Sequence, residues 1–240
     1  MDVVKLCYCN DIIVIKAVLL DFGGTMANTK TDWEMVSERA KSRLELEDVR
    51  VDPVDLENAI KDTIEYRYQQ HELGVELNSY DFFNHALGIL GHKVDLDITD
   101  ELEQMVNDEG TVEFVSGLED VLMELSDSYK LALLSNSWLE APRQALRDHG
   151  YGRWFDAMLC SFDIGVPKPD PRIFEFALDL LGVRANEAVM VGDSLEADIK
   201  GALGVGMRAV LVDDGFSEWV GPKVIEFEEI IDVLSRIALE

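Results

Sequence analysis

The chain has 240 residues, of which 48% are hydrophobic and 29% are charged, and this composition indicates a globular protein rather than a disordered one. Its 48 acidic and 21 basic residues give a formal net charge of −27, which disfavours nucleic acid and anionic membranes as partners. An anionic ligand would need local positive charge or a metal ion at its binding site.

The three cysteines, Cys7, Cys9 and Cys160, form no spaced framework, which is typical of a reducing compartment. No segment reaches the roughly 18 apolar residues that a membrane span needs, and the first residues lack a secretory pattern. We therefore expect a cytoplasmic protein that is a monomer or a homodimer. Residues 1–11 are either an extra edge strand or a leader.

The first half of the chain contains one predicted strand followed by predicted helices. Residues 12–25 combine an apolar run with a glycine turn and predict a buried strand and its exit loop. Residues 28–112 predict helices only, with a short last helix near residues 99–108. Three segments repeat apolar residues at helical spacing: Trp33, Val36, Ala40 and Leu44; Leu56, Ala59, Ile60 and Ile64; Tyr80, Phe83, Leu87 and Leu90.

The second half alternates short apolar runs with helical patterns. The runs at 131–135, 157–161, 188–192 and 209–213 predict strands that are buried on both faces of a parallel sheet. Ser116 and Glu119 form a capping-box pattern, and Asp170 followed by Pro171 predicts another helix start. This alternation predicts an α/β fold with a doubly wound parallel sheet, which binds ligands at the carboxyl ends of its strands.

Polar residues follow three of the predicted strands. Asp21 ends the first run, Ser135 and Asn136 end the second, and Asp193 follows "AVMVG". A carboxylate such as Asp21 can attack phosphorus to give an aspartyl phosphate, although it can also simply cap a turn. Gly23 and Gly24 allow backbone N–H groups to approach an anion. Ser135 and Asn136 can donate hydrogen bonds to a phosphoryl oxygen, but such a pair is also common in ordinary turns.

Two further motifs supply charge. Pro167 and Pro169 restrict the backbone of Lys168, whose ammonium could neutralise a phosphate; a plain proline-rich loop is the alternative. In "VGDSLEAD", Asp193 and Asp198 could hold Mg²⁺, which would bridge to a substrate phosphate. The alternative is that Asp193 caps a helix and Asp198 is a surface charge.

These four motifs, in this order, resemble those of the haloacid dehalogenase (HAD) superfamily of hydrolases, in the type that has a helical cap after the first motif. The likeness covers about residues 12–215. It implies a Rossmann-like α/β core of residues 1–27 and 113–240, with an inserted all-α cap subdomain of residues 28–112. It also implies a phosphohydrolase that uses Mg²⁺ and acts on a small phosphorylated substrate.

The resemblance assigns roles by position. Asp21 is expected to be the nucleophile, and Lys168 is expected to steady the phosphoryl charge. The expected substrate-binding residues are Ser135, Asn136, Gly24 and Thr25. The expected metal ligands are Asp21, the backbone carbonyl of Gly23, Asp193 and Asp198.

Gly23 departs from the family pattern, because phosphatases of this type usually have an aspartate there for proton transfer. General acid–base help of that kind is worth about 10²–10⁴ in rate. A group from the cap could replace it; the candidates are Asp32, Glu34, Arg67 and His71. A substrate with a good leaving group would need little such help. Three aromatic residues of the cap either line the pocket or fill the cap core: Trp33, Tyr66 and Tyr68.

Other readings of Gly23 remain open. Haloacid dehalogenases also lack this aspartate, but they work without metal, whereas this chain keeps both Asp193 and Asp198. Phosphonatases need a cap lysine, and no pattern singles out Lys41 or Lys61. A non-catalytic binding protein on the same scaffold is the third reading. The intact remaining motifs favour a phosphohydrolase that is slow on alkyl phosphates and faster on activated ones.

Overall fold

The computed structural model describes residues 14–93, 98–213, 215 and 217–237, so the expectations for residues 1–11, Cys7 and Cys9 lie outside it. In this part of the chain the strands are β1 (Ala17–Leu20), β2 (Ala27–Thr31), β3 (Gly110–Phe114), β4 (Lys130–Ser135), β5 (Ala157–Cys160), β6 (Ala188–Gly192), β7 (Arg208–Val212) and β8 (Lys223–Val224). The α-helices are α1 (Trp33–Leu44), α2 (Pro53–Glu72), α3 (Ser79–Ile89), α4 (Thr99–Asp108), α5 (Leu118–Ser128), α6 (Ala141–Asp148), α7 (Pro171–Leu181), α8 (Gly201–Gly204) and α9 (Ile230–Ile237).

A parallel sheet forms the centre of the core, with the strand order β5-β4-β1-β6-β7-β8. The strands β4 to β7 coincide with the four predicted apolar runs to within one residue at each end. Successive residues of β1 pack on opposite faces: Val18 and Leu20 face α5 and α9, whereas Ala17 and Leu19 face α7 and α8. Burial on both faces explains why these strands are continuously apolar. The predicted α/β class is confirmed.

The sheet places three polar strand ends side by side. Strand β1 lies between β4 and β6, and Leu20 pairs with Leu133 on one side and with Val191 on the other. Because all three strands run in the same direction, their carboxyl ends open onto one edge of the sheet. That edge is the usual ligand position of an open α/β sheet.

The two predicted helix starts have different outcomes. Asp170 caps α7 as expected, since its side chain accepts a hydrogen bond from the backbone N–H of Arg172 and Pro171 is the first helical residue. The capping box at Ser116 is wrong. Helix α5 begins at Leu118, after Gly117 with φ of 69°, a left-handed conformation that favours glycine.

The inserted region contains the expected helices, including α4 at Thr99–Asp108. The expectation of an all-α insertion is wrong at its two ends, where β2 and β3 form an antiparallel ribbon. The sequence conceals this ribbon because Asn28, Thr29 and Lys30 are polar and exposed, so β2 has no alternating apolar pattern. Among the described residues, every helix is too short or too polar to cross a membrane.

The cap helices share their own apolar core, which includes Val36, Ile60, Phe82 and Leu102. A residue from outside the insertion completes this core. Trp138, which follows β4, stacks on Phe82 with ring centroids 3.9 Å apart and an interplanar angle of 14°. The loop after β4 is therefore anchored in the hydrophobic core of the cap.

Candidate active site

Lys168 is the electrostatic centre of the strand-end cluster. Its Nζ lies 2.6 Å from Oδ1 of Asp21 and 2.6 Å from Oδ1 of Asp198, and it donates to the carbonyl of Leu134 at 2.6 Å. Lys168 and Asp198 are almost completely buried, and Asp21 is 7% exposed. One ammonium group thus binds two carboxylates from opposite ends of the sequence.

Three carboxylates surround this lysine. Oxygens of Asp21, Asp193 and Asp198 all lie within 4.8 Å of one another. Asp193 is exposed to solvent, whereas the other two are buried. Burial raises the pKa of Asp21, and the charges of Asp198 and Asp193 add to this effect against the opposing attraction of Lys168. The cluster carries more negative than positive charge.

The pKa of Lys168 is raised despite its burial. Burial alone would lower it, but the charges of Asp198 and Asp21 and their hydrogen bonds outweigh that effect. The lysine is therefore charged at any ordinary pH, and it supplies a permanent positive charge next to Asp21.

Two glycines make room for the carboxylates. At Gly24, with φ of 76°, a Cβ atom would overlap the carboxylate of Asp193. At Gly192 a Cβ atom would overlap the carboxylate of Asp198. Gly23 differs from both, because a Cβ atom there meets nothing within 4 Å. The absence of a side chain at position 23 is therefore not a steric requirement of the turn.

Asp198 is held by the start of the helix that follows β6. This helix begins with the π-helical turn Leu195–Lys200, and the Ser194 hydroxyl caps it by accepting from the N–H of Ala197. Oδ2 of Asp198 accepts from the N–H of Ser194 at 3.0 Å. Its other oxygen is thereby turned towards Lys168.

The side chain of Asn136 forms two hydrogen bonds with the backbone of Lys168. Its Oδ1 accepts from the N–H of Lys168 at 2.7 Å, and its Nδ2 donates to the carbonyl of Lys168 at 2.9 Å. The sequence predicts a phosphate ligand at this position; Asn136 lines the cavity described next, and its side chain also orders the lysine loop. Ser135 is buried, lies at the end of β4 and lines the cavity described next.

The cluster opens into a cavity of about 730 Å³ between the core and the cap. Gly23 lines this cavity, but Gly24 and Thr25, both expected to bind substrate, are not among its lining residues in the described part of the chain. The N–H of Gly24 donates to the carbonyl of Ala27 at 2.9 Å, so the turn itself uses it. Thr25 is buried, with 1% of its surface exposed.

The cap contributes a limited set of the candidate side chains to this cavity. Arg67, Tyr68 and His71 line it. The other candidates lie elsewhere among the described residues: Trp33 packs against the cap core, Tyr66 stacks on His85, Lys61 pairs with Glu57, and Asp32 caps α1. Glu34 and Lys41 do not line the cavity either.

Nothing in the sequence indicates a role for Glu76, which is not itself a lining residue but binds two residues that line the cavity, Arg67 and His71. Its carboxylate is completely buried and accepts from Nε and Nη2 of Arg67 at 2.6 and 2.7 Å. Nε2 of His71 lies 3.0 Å from Oε2 of Glu76, and the Ser161 hydroxyl donates to the same oxygen at 2.5 Å. Burial would raise the pKa of Glu76, but the hydrogen bonds from His71 and Arg67 outweigh it and lower the pKa to about 2. No spacing rule points to a glutamate in a loop after a helix.

The chain belongs to the haloacid dehalogenase-like hydrolases, whose family model matches residues 15–206. It is similar to the phosphoserine phosphatase of Thermus thermophilus, with 45% identity over 85 residues, which are 35% of this chain and 34% of that protein. It is also similar to the N-acylneuraminate-9-phosphatase of Rattus norvegicus, with 38% identity over 96 residues, 39% of each chain. The chain thus matches less than half the length of these relatives.

A solved structure shares the fold over nearly the whole chain. The 2-haloacid dehalogenase from Pseudomonas syringae pv. Tomato superposes with a TM-score of 0.69 at 23% identity, covering 93% of this chain and 100% of that one. At this level of identity the likeness shows a common fold only. The enzyme class expected from the four sequence motifs, a HAD-like hydrolase, is confirmed by the family match.

Proposed function

We propose that this chain is a Mg²⁺-dependent phosphohydrolase that acts on a small phosphorylated compound through an aspartyl phosphate on Asp21. The observation that carries the proposal is the pairing of Asp21 with Lys168 beside two more carboxylates, at the floor of one cavity. The names of the two curated relatives, both phosphatases, support the same reaction class.

The residues present fit a divalent cation. Carboxylate oxygens are the ligands that Mg²⁺ prefers, and three of them converge here. One ammonium neutralises only one of the three negative charges, and the raised pKa of Asp21 reflects the free-energy penalty of burying the remainder. Asp21, Asp193 and Asp198 would hold the ion, together with the backbone carbonyl of Gly23. When bound, Mg²⁺ offsets the repulsion between Asp21 and the substrate phosphate and polarises the phosphoryl group.

The residues of this chain divide the chemistry between them. An oxygen of Asp21 attacks phosphorus, the bond to the leaving oxygen breaks, and a water molecule later hydrolyses the aspartyl phosphate. Lys168 stabilises the negative charge on the transferred group, and the hydroxyl of Ser135 donates a hydrogen bond to it. Asn136 acts through Lys168 as a positioning residue, because it fixes the backbone on both sides of that lysine.

Gly23 sets the preferred leaving group. It offers no side chain that could protonate the departing oxygen, so the reaction relies on a leaving group that needs little protonation. Acyl and aryl phosphates meet this requirement better than alkyl phosphates do. We expect the ratio of aryl to alkyl phosphate turnover to be well above one.

Hydrolysis of p-nitrophenyl phosphate, with Mg²⁺ and with EDTA, tests the proposal for the unmodified chain and for Asp21→Asn. The expected result is turnover that needs both the metal and Asp21. Asp148→Asn is the matched control, because Asp148 lines the same cavity outside the three-carboxylate cluster. Absence of turnover would contradict the proposal. Halide release from 2-haloacids without metal would then indicate a dehalogenase, and its absence a binding protein.

A further inference from the structure

A buried carboxylate of the cap fixes two basic side chains in the cavity wall. Arg67 and His71 are four residues apart on α2 and therefore project from the same face of the helix. Glu76, from the loop after α2, binds both of them through the contacts described above. A bidentate guanidinium–carboxylate pair has a defined plane, so Arg67 is held in one orientation.

Each basic group keeps a nitrogen that Glu76 does not use. Among the described residues, Nη1 of Arg67 and Nδ1 of His71 have no hydrogen-bond partner, whereas Nη2 of Arg67 also donates to the carbonyl of Asn136 at 3.3 Å. Arg67 is only 7% exposed, and both residues line the cavity that contains Asp21. A guanidinium N–H that is mostly shielded from water gains more from an anionic ligand than an exposed one does.

The charge balance of the cavity favours an anion at this position. Lys168 is occupied by Asp21 and Asp198, so its charge is not available to a distal part of a ligand. Glu76 is stabilised by donors other than Arg67, because it also accepts hydrogen bonds from Ser161 and from the backbone N–H of Leu77. Arg67 therefore retains donor capacity in a chain whose net charge is −27. The free donors are the N–H groups of Nη1, and a ligand carboxylate can accept charge-assisted hydrogen bonds from them.

A series of contacts connects Arg67 in the cap to Asp21 in the core. Arg67 contacts the carbonyl of Asn136, the side chain of Asn136 holds the backbone of Lys168, and Lys168 binds Asp21. Three successive contacts link the guanidinium to the nucleophile. A ligand that is anchored at Arg67 is therefore positioned with respect to Asp21.

We infer that the phosphorylated substrate carries a carboxylate, and that Arg67, positioned by Glu76 and flanked by His71, binds that carboxylate. This inference rests on the proposed phosphohydrolase function and narrows its substrate class to phosphorylated carboxylic acids. Arg67 and His71 are then specificity-determining residues, and Glu76 and Asn136 are positioning residues.

Two pairs of compounds that differ at the carboxylate test the inference. O-phosphoserine is compared with O-phosphoethanolamine, and 3-phosphoglycerate with glycerol 3-phosphate. Binding is measured by calorimetry on the full Asp21→Asn chain with Mg²⁺, and kcat/KM is measured on the unmodified chain. We expect the acid of each pair to bind about tenfold more tightly or better, as a charge-assisted hydrogen-bond pair provides.

Variants of Arg67 test whether its guanidinium causes the preference for the acid of each pair. In Arg67→Met the acid and the non-acid of each pair should bind about equally tightly and have about equal kcat/KM, whatever the absolute values are. Because Arg67→Met leaves the buried Glu76 without its guanidinium partner, the double variant Arg67→Met/Glu76→Gln provides a second version that removes both charges. Arg143→Met is the matched control: the Arg143 side chain is 12% exposed against 9% for Arg67, it pairs with Glu140 and Asp163, and it lies outside the cavity lining. It should keep the preference of the unmodified chain for the acids.

The outcomes separate this inference from the proposed function. Turnover of p-nitrophenyl phosphate without preference for either acid would overturn the carboxylate site and leave the phosphohydrolase intact. Tighter binding of the acids that survives in both Arg67 variants would also overturn the site. Preference for the acids in binding, lost in the Arg67 variants, with no turnover of any phosphate would support the site and reject the reaction.

Discussion

Nζ of Lys168 and Oδ1 of Asp21 lie 2.6 Å apart, although the two residues are 147 positions apart in the chain. The contact exists because β1 and the loop after β5 meet at one edge of the sheet, and because Asn136 holds the lysine backbone from the adjacent strand end. Lys168 thus balances charge in the folded state, and in the proposed mechanism it also stabilises the negative charge on the transferred phosphoryl group. Both roles can be measured separately.

Replacement of Lys168 by methionine should destabilise the chain and abolish most of its activity. The variant leaves Asp21 and Asp198 buried without their counter-charge, which typically costs about 3–5 kcal/mol. Urea unfolding measures this loss, and added Mg²⁺ should restore part of it by binding the folded state. Lys200→Met is the control, since Lys200 forms an exposed pair with Glu196 and should change stability by less than about 1 kcal/mol. Equal stability of both variants would contradict the prediction.

Introduction of an aspartate at Gly23 should increase the hydrolysis of alkyl phosphates. The position lines the cavity, and a Cβ atom there meets nothing within 4 Å, so the backbone accepts a side chain. General acid–base help is worth about 10²–10⁴, and we expect at least the lower end for glycerol 3-phosphate. Gly23→Asn has the same shape without the acid and should give no increase. An equal gain in both variants would mean that shape rather than proton transfer matters.

Gly23 and the neighbouring Gly24 should respond oppositely to a single methyl group. Gly23→Ala should leave the Mg²⁺ requirement unchanged. Gly24→Ala should raise the Mg²⁺ concentration needed for half-maximal activity, because its Cβ atom would displace the carboxylate of Asp193 and its φ of 76° disfavours alanine. Metal titrations of the two variants test this contrast, and identical titration curves would contradict it.

Glu76 should make folding stability sensitive to acid. Its pKa is about 2 in the folded chain against 4.5 for an ordinary glutamate, so the contribution is complete above pH 4.5 and is lost as the pH falls towards 2. The shift corresponds to about 3 kcal/mol. The free energy of unfolding of Glu76→Gln should therefore fall less steeply in this range. Glu119→Gln, at an exposed position, should follow the unmodified chain; a parallel slope for Glu76→Gln would contradict the prediction.

The core of the fold was predictable because its signals are local. The runs at 131–135 and 188–192 are apolar throughout since both faces of the sheet are covered, and strand ends follow from where those runs stop. The cap helices were equally visible from their spacing. The β2–β3 ribbon was not, because the side chains of β2 are exposed and polar and its partner lies about 80 residues away.

The candidate site also contains some residues that could be predicted from the sequence and others that could not. Asp21, Ser135, Lys168 and Asp193 were found because each occupies a strand end or a constrained loop. The hydrogen bonds of Asn136 to Lys168 and the burial of Glu76 depend on contacts between distant segments, which no local pattern encodes. Gly24 was assigned to the substrate from its sequence, whereas its N–H closes the turn and its missing Cβ makes room for Asp193.

The β2–β3 ribbon also means that the insertion can be exchanged for another one. Ala27 pairs with Phe114 and Thr31 with Gly110, so the chain leaves the core and returns to it at adjacent points. A different insert of any length could be grafted between Thr31 and Gly110 without altering the distance that the sheet must bridge. Such a chimera would need to supply one thing that this insert provides, an apolar surface against which Trp138 can pack.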